Sequence, residues 1–315
     1  RLCREDVMKF TGIWNDLTSK MGYWVDMEHS YITYENNYIE SLWALLKKLY
    51  DKNLLYEGYT IQPYSPAAGT GLSSHELNQP GCYREVKDVS AIAQFKIKVQ
   101  SSKFKAGSDV FFLAWTTTPW TLPSNTALAV GKDIEYLLVK TFNAFTHELS
   151  HVILAKDLLG KYFPAENAAL SFDDYKKGDK KIPFTVLDSF KGKDLEGIRY
   201  EQLLPYTQPT DGDAFKVVLG DFVTTTDGTG IVHIAPSFGA DDFKVAKQNG
   251  IGSLTLVDKQ GKFTDEVNDP EFPLDGRYVK DAYYNEEELE KDFHLQREIL
   301  RVNNIIPDLK NHLSV

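Results

Sequence analysis

Apolar residues recur every three or four positions in the first part of the chain. Val7, Phe10 and Trp14 share this spacing, and it returns from Ile39 to Leu49. Such spacing places apolar groups on one face of a helix. We therefore predict two amphipathic helices within residues 1–52, with packed apolar faces. Because this short segment carries Trp14, Trp24 and Trp43, part of its surface is expected to pack on a part of a longer protein outside this chain.

Beyond Ser90 the apolar positions alternate with polar ones, which is the pattern of strands that have one buried face. Two short helices are expected near residues 155–163 and 241–249. The strand candidates are residues 91–99, 110–115, 134–141, 184–187 and 216–225, together with a short apolar segment before Pro236 that carries His233. Many strands with varied connections are typical of a barrel or a strongly curved sheet.

These patterns predict an α+β fold, with a curved, barrel-like sheet flanked by helices from the N- and C-terminal segments. The expected organisation is a helical segment over 1–60, an extended, Gly- and Pro-rich connector over 61–90 and a β-rich domain over 91–280. Residues 281–315 are expected to form a charged C-terminal helix, from Glu286 to about Asn304.

Composition narrows the possible functions. Of the 315 residues 45 are acidic and 35 are basic, and the net charge of −10 argues against a broad nucleic-acid surface, so any polyanion contact has to be local. Cys3 and Cys82 stand far apart without a CxxC motif, which excludes a thiolate zinc cluster. No apolar run is long enough to span a membrane. The cysteine usage favours a reducing, cytoplasmic setting, and a monomer is the simplest expectation. The missing initiator Met predicts a piece of a longer protein.

One stretch places an imidazole close to a carboxylate along the chain. A Gly-rich turn at 227–230 leads into a short apolar strand whose one polar side chain is His233, and Asp241 and Asp242 follow the breaks at Pro236 and Gly239. Because acidic residues favour the first turn of a helix, Asp242 is expected at a helix start. Taken alone, His233 also fits a structural histidine, and Asp242 also fits a helix cap.

A second stretch carries three consecutive threonines. Thr116, Thr117 and Thr118 leave a predicted strand, and two prolines are expected to hold the following loop open, up to Asn125. Hydroxyl and backbone donors on such a loop suit a polar ligand, although threonine is also an ordinary strand residue. Phosphate-binding loops, the HExxH motif, the GxSxG motif and a credible metal-ligand set are all missing from the sequence.

Together the two stretches resemble a known family. Residues 116–125 (TTTPWTLPSN), 228–236 (GTGIVHIAP) and 239–242 (GADD) look like the two signature peptides of the editing insertion, connective peptide 1, of isoleucyl-tRNA synthetases. Residues 10–15 (FTGIWN) and 22–27 (GYWVDM) resemble the segment that leads into that insertion.

Some residues distinguish this chain within the wider family. The valyl and leucyl relatives usually read TTRP and lack the histidine, so the isoleucyl resemblance rests on Pro119, Trp120 and His233. Ser65, Ala67 and Ala68 stand where some relatives have cysteines, which argues against a zinc knuckle. The HIGH and KMSKS signatures of aminoacylation are absent.

The resemblance implies an aminoacyl-tRNA deacylase that removes valine misattached to tRNA(Ile), binding the 3′ acceptor end and working with the rest of a parent synthetase. It implies no cofactor for editing and no metal; ATP would serve only the missing catalytic domain. The catalytic residues carried over are Asp242, His233 and Thr118. The substrate-binding residues carried over are Thr116, Thr117, Trp120, Asn125, His233 and Asp242.

Two other interpretations remain open. One is a non-catalytic module that binds the tRNA acceptor end. The other is an editing domain of the valyl or leucyl type. The editing assignment requires the threonine-rich loop and the His233–Asp242 junction to face each other across one crevice.

Overall fold

The computed structural model forms two compact units, residues 1–59 and residues 60–315. The structure describes residues 2–58, 60–86, 88–98, 109–270 and 273–285, and the backbone of 305–307.

Within the described residues, the first unit contains helices and the second contains helices and strands. The α-helices are α1 (Leu2–Met8), α2 (Thr11–Lys20), α3 (Asn36–Asp51), α4 (Ser74–Leu77), α5 (Leu159–Tyr162), α6 (Gly192–Leu195) and α7 (Ala240–Asn249). The 3₁₀ helices are Pro119–Ser124, Lys156–Leu158, Ala165–Ala169 and Asp281–Tyr283. The strands are β1 (Tyr64–Ser65), β2 (Thr70–Gly71), β3 (Ala91–Lys96), β4 (Val110–Thr116), β5 (Ala127–Val130), β6 (Glu135–Phe142), β7 (Leu149–Ala155), β8 (Phe184–Lys191), β9 (Lys216–Leu219), β10 (Ile231–Ile234) and β11 (Ile305–Pro307).

The first unit contains the helices predicted over residues 1–52. The first predicted helix is interrupted after Met8, so it appears as α1 and α2, and the second is α3. Their apolar faces were expected to be packed, but neither α2 nor α3 contains a buried residue, and Trp24 is 98% exposed. None of the helices in the described residues is long and apolar enough to cross a membrane.

Alternation predicted several strands of the second unit correctly, namely β3, β4, β6, β8 and β10. The strand predicted over residues 216–225 is confirmed only for 216–219, because β9 ends at Leu219, where Gly220 and Asp221 begin a turn. The strands β5 and β7 were missed. β5 is a four-residue buried run, too short to show a period, and six of the seven residues of β7 are buried.

The strands form two larger sheets and a small hairpin. The six-stranded sheet has the order β11-β3-β4-β7-β6-β8, and the three-stranded sheet has the order β10-β5-β9. The pairs β4–β7 and β5–β9 are parallel, and the other pairs are antiparallel. The α+β prediction is confirmed, but the barrel-like closure is not: within the described residues both sheets are open at their edges.

The core lies between the two sheets. Along β4, Phe112 and Ala114 face the main apolar cluster, whereas Leu113 belongs to a cluster on the opposite face of the sheet. On the far side of the three-stranded sheet, Val245 and Ala246 of α7 pack against β5 and β9. Strands buried on both faces explain why alternation alone identified only some of them.

The connector contains regular secondary structure that the sequence did not predict. Residues 61–90, expected to be extended, contain the β1–β2 hairpin and α4. Ser73 caps α4, since its Oγ accepts from the Glu76 N–H at 3.2 Å while the Glu76 carboxylate accepts from the Ser73 N–H at 2.7 Å. The helix predicted over 286–304 lies outside the described residues.

The turn before β10 fastens the small sheet to the large one. The Thr229 hydroxyl donates to the carbonyl oxygen of Leu113 on β4 at 2.6 Å, and the Ala155 N–H of β7 donates to the Thr229 carbonyl at 2.9 Å. The buried Tyr136 hydroxyl donates to the Gly230 carbonyl at 2.7 Å. These bonds fix where β10 starts and therefore where His233 lies.

Gly230 should not tolerate a side chain. It has a φ of +73°, and an added Cβ would lie 2.3 Å from Ala155 Cβ. Gly276 has a φ of +72° with no atom within 4 Å of such a Cβ, so G276A is a matched control. We expect G276A to lower the free energy of unfolding by about 1 to 2 kcal/mol, and G230A by about 1 to 3 kcal/mol more because of the overlap. Chemical denaturation measures both, and equal losses would contradict this account of the turn.

Candidate active site

The threonine-rich peptide turns directly from a strand into a helix. Thr116 ends β4, and Thr118 precedes the 3₁₀ helix that starts at Pro119. Proline suits the first helical position because its fixed φ is compatible with a helix and its missing N–H needs no acceptor there. The Thr118 N–H donates to Thr116 Oγ1 at 3.1 Å. The segment expected to be an open loop is therefore a compact turn, in which Thr117 and Thr118 are half-buried.

The next threonine reaches the histidine of the second peptide. Thr121 Oγ1 lies 3.1 Å from His233 Nε2, although the two residues are 112 positions apart. His233 is only 7% exposed, and burial lowers its pKa to about 4 because an imidazolium loses its hydration there. The imidazole is therefore neutral at physiological pH. Its Nδ1 has no hydrogen-bond partner among the described residues.

Asn125 lies in the interior between the two peptides. Its Nδ2 donates to the carbonyl oxygens of Ala127, at 2.8 Å, and Ile234, at 3.5 Å. Its Oδ1 accepts from the buried Tyr200 hydroxyl at 2.7 Å. With both ends of the amide bonded within the protein, Asn125 holds β10 against the segment that enters β5.

Asp242 lies in the first turn of α7, as its sequence context predicted. Its Oδ2 accepts from the Ala235 N–H at 2.9 Å, which ties the helix start to the end of β10. Burial raises the pKa of Asp242 to about 6, the charge of Asp241 acts in the same direction, and the Ala235 N–H opposes both. Gly239 allows this approach, since an added Cβ would lie 2.8 Å from Asp242 Cγ.

An aromatic pair also joins the two peptides. The rings of Trp120 and Phe238 meet edge to face, with centroids 5.2 Å apart. Trp120 Nε1 is buried and has no hydrogen-bond partner among the described residues. Trp120 thus combines an apolar face with an unused donor.

The structure therefore brings the two predicted peptides together. Hydroxyl contacts lead from Thr116 and Thr118 through Thr121 to His233. Directly after the strand of His233, the Ala235 N–H donates to the Asp242 carboxylate. An uncharged imidazole thus contacts the threonine-rich turn, and a half-buried carboxylate is bonded to the backbone just after the strand that carries this imidazole. Such an arrangement suits a small ligand that carries a cationic group and hydrogen-bonding groups.

Sequence reasoning missed three neighbours of these residues, namely Thr121, Tyr200 and Phe238. Thr121 lies inside the threonine-rich peptide, and its spacing of three from Thr118 on a helical turn was an available signal. Tyr200 had no local signal, because it meets Asn125 across 75 positions of sequence. Within the described part of the chain, no three His, Cys, Asp or Glu side chains are grouped to hold a metal ion.

Comparison with known proteins places the chain in a family. The model of the class I tRNA synthetases for isoleucine, leucine, methionine and valine matches residues 1–252. The chain belongs to this class I tRNA synthetase family. The match includes both peptides of the candidate site.

Among the similar class I synthetases are isoleucine-tRNA ligases. That of Cytophaga hutchinsonii is 61% identical over 92% of this chain and 26% of the relative. That of Bacteroides fragilis is 59% identical over 94% of this chain and 25% of the relative. The resemblance to isoleucyl-tRNA synthetases is confirmed, and the chain spans about a quarter of the length of these relatives.

Solved structures give weaker matches. The editing domain of Plasmodium falciparum cytosolic leucyl-tRNA synthetase covers 72% of this chain, and 92% of that chain, at 12% identity and a TM-score of 0.36. The Plasmodium knowlesi counterpart covers 52% of this chain and 64% of that chain at 14% identity and a TM-score of 0.35. Matches at this level do not define a function.

The raised pKa of Asp242 has a consequence for stability. Because the folded state holds the Asp242 proton more tightly than the unfolded state, the stability that this proton gives is lost as the pH rises through about 6. Asn cannot ionise and can still accept from the Ala235 N–H. We expect D242N to be more stable than the wild type at pH 8, by on the order of 1 to 3 kcal/mol, and the difference to shrink below pH 6.

Chemical denaturation between pH 5 and pH 8 measures this difference. D241N is the control, since it removes the same charge from an exposed position on the same helical turn. Because the Asp241 charge contributes less than burial to the raised pKa of Asp242, D241N should change the pH dependence only slightly. A D242N gain that does not vary with pH would show that burial does not disfavour the Asp242 carboxylate.

Proposed function

We propose that this chain is the editing hydrolase of an isoleucyl-tRNA synthetase and removes valine from mischarged tRNA(Ile) by ester hydrolysis. The observation that carries the proposal is the contact of His233 with the threonine-rich turn, next to a strand end that is bonded to Asp242. The high identity to isoleucine-tRNA ligases supports the assignment to this branch of the family.

Asp242 anchors the misattached amino acid through its α-ammonium group. Every aminoacyl ester carries this cation, so the contact holds all of them alike and does not discriminate. A carboxylate with a raised pKa gains most from a cationic partner, because the ligand restores the charge stabilisation that burial removed. Of the two carboxylate oxygens, Oδ2 accepts from the Ala235 N–H.

His233 supplies the discrimination by size. One methylene group is worth only about 1 to 3 kcal/mol in an apolar pocket, and isoleucyl-tRNA synthetases are themselves the standard example of this limit, so a synthesis site for isoleucine admits valine. A second, smaller site that excludes the extra methylene corrects the error. The buried imidazole of His233, held by Thr121, forms a wall of that site.

The threonine-rich turn binds the ester and the terminal adenosine. Thr116, Thr117 and Thr118 offer hydroxyl and backbone groups, Thr118 positions the attacking water, and Trp120 offers a ring face and an N–H donor. Asn125 acts by holding the turn against β10. An ester is already reactive, so oriented water and donors at the developing oxyanion suffice, without a metal or a covalent intermediate.

The proposal defines the partners. The ligand is the 3′ acceptor end of tRNA(Ile) carrying valine, and the remainder of the synthetase supplies further tRNA contacts and the ATP-dependent aminoacylation. A net charge of −10 fits a chain that touches the nucleic acid only locally, since phosphate contacts supply most nonspecific affinity. A cytoplasmic monomer without a cofactor for editing remains the prediction.

Replacing Asp242 should abolish hydrolysis. We expect D242A to lower the rate of valyl-tRNA(Ile) deacylation at least about 100-fold, because a buried ionic contact to the substrate is lost. D241A is the matched control and should retain the wild-type rate. Release of radiolabelled valine by the 315-residue chain measures both. An unchanged rate in D242A would remove Asp242 from the mechanism.

Replacing His233 should remove the size limit. We expect H233A to cleave correctly charged isoleucyl-tRNA(Ile), which the wild type spares, because truncation of the imidazole leaves room for one more methylene. The ratio of the isoleucyl and valyl deacylation rates measures this change. Continued sparing of isoleucyl-tRNA would place the sieve elsewhere.

The same assay separates the other interpretations. A non-catalytic module would bind the acceptor end and leave every ester intact. An editing domain of valyl type would prefer threonyl-tRNA, and one of leucyl type would prefer norvalyl-tRNA. A wild-type preference for valyl-tRNA(Ile) over both is the result that supports the proposal.

A further inference from the structure

The hydroxyl of Thr121 lies between a carbonyl group and an imidazole. Thr121 Oγ1 is 2.8 Å from the carbonyl oxygen of Thr118, one helical turn earlier, and 3.1 Å from His233 Nε2. Thr121 is only 4% exposed and His233 is only 7% exposed. Because both groups are shielded from bulk water, the direction of each hydrogen bond is set by the protein itself.

The chemistry of the three groups determines where the protons lie. A hydroxyl has one proton to donate, and a carbonyl oxygen can only accept. The Thr121 hydroxyl therefore donates to the nearer Thr118 carbonyl, as threonine does in a helical turn. Its oxygen then accepts from His233, so Nε2 of the imidazole carries the proton.

This assignment leaves the other ring nitrogen with a lone pair. A neutral imidazole has a single N–H, and the buried site keeps the ring neutral. His233 Nδ1 is thus a buried acceptor, and it has no partner among the described residues. Leaving a buried acceptor unpaired costs free energy, which a ligand that brings a donor recovers.

We propose that Thr121 is a positioning residue that fixes His233 as its Nε2–H tautomer, so that Nδ1 accepts a hydrogen bond from an O–H or N–H donor of the bound ligand. His233 then orients the ligand in addition to limiting its size. The identity of that donor, the attacking water or a ribose hydroxyl of an aminoacyl ester, rests on the proposed function. The tautomer itself does not.

The tautomer is measured directly by nuclear magnetic resonance of the 315-residue chain labelled with ¹⁵N-histidine. The nitrogen resonances distinguish a protonated ring nitrogen from an unprotonated one, and their loss in H233Q assigns those of His233. We expect Nε2 to be protonated and Nδ1 to be unprotonated in the wild type and in T121S, which keeps the hydroxyl. In T121V, both tautomers should become populated.

T126V is the matched control. Thr126 is completely buried, and its hydroxyl has no hydrogen-bond partner among the described residues, so this change also replaces a buried threonine by valine. T126V should leave the His233 tautomer unchanged. A proton on Nδ1 in the wild type would overturn the proposal. So would a folded T121V that keeps the pure Nε2–H tautomer, and T121A, which also removes the hydroxyl, applies the same test if T121V does not fold.

The ligand part has its own measurement. A non-hydrolysable valyl-adenosine mimic should shift the Nδ1 resonance of the wild type, and the absence of a shift in the saturated complex would overturn the acceptor role. In deacylation we expect T121V to lower kcat about tenfold with little change in KM, and T121S to retain the wild-type rate. Failure of the proposed function would instead appear as a wild type that hydrolyses no ester, with the tautomer result unaffected.

Discussion

The pairing of β10 with β5 is the interaction on which the candidate site depends. Four residue pairs, from Ile231 opposite Val130 to Ile234 opposite Ala127, align the histidine peptide with the end of the threonine-rich peptide. Because side chains alternate along a strand, a slip of one residue would turn His233 to the opposite face of the sheet. Hydrogen bonds at both ends of β10 oppose such a slip. Thr229, just before the strand, donates to the Leu113 carbonyl, and Asn125 donates to the Ile234 carbonyl at its end.

Burial shifts the pKa values of the two ionisable groups of the site in opposite directions. It lowers the pKa of His233 to about 4 and raises that of Asp242 to about 6, so each is pushed towards its uncharged form. His233 remains neutral, since no described acidic group pairs with it. The pKa of Asp242 lies close to physiological pH, and a bound cationic ligand would lower this pKa and favour the carboxylate. On the proposed function, the neutral His233 limits the size of the amino-acid side chain, and the ionised Asp242 binds its α-ammonium group.

Sequence identified the two peptides that the structure brings into contact, but it did not predict all of their neighbours. The two peptides were identified because their polar residues interrupt apolar runs, and the structure joins them through Thr121 and His233. Tyr200 was not predictable, because a contact with Asn125 made across 75 positions leaves no local trace. The barrel-like closure failed for a related reason: alternation shows that a segment is a strand, but the pairing at the edges of a sheet is a long-range property.

A short turn fixes the position of Asp242, the ammonium-binding group on the proposed function, relative to His233, the size-limiting group on the same proposal. Only nine positions separate His233 from Asp242, and the Ala235 N–H holds the carboxylate back against the strand end. Gly239 is needed for this, since a Cβ there would overlap the carboxyl group itself. Any residue that lengthens or widens this turn would move Asp242 relative to His233. A site that distinguishes side chains by one methylene cannot absorb such a movement, so on the proposed function the turn sets the specificity although it need not touch the ligand.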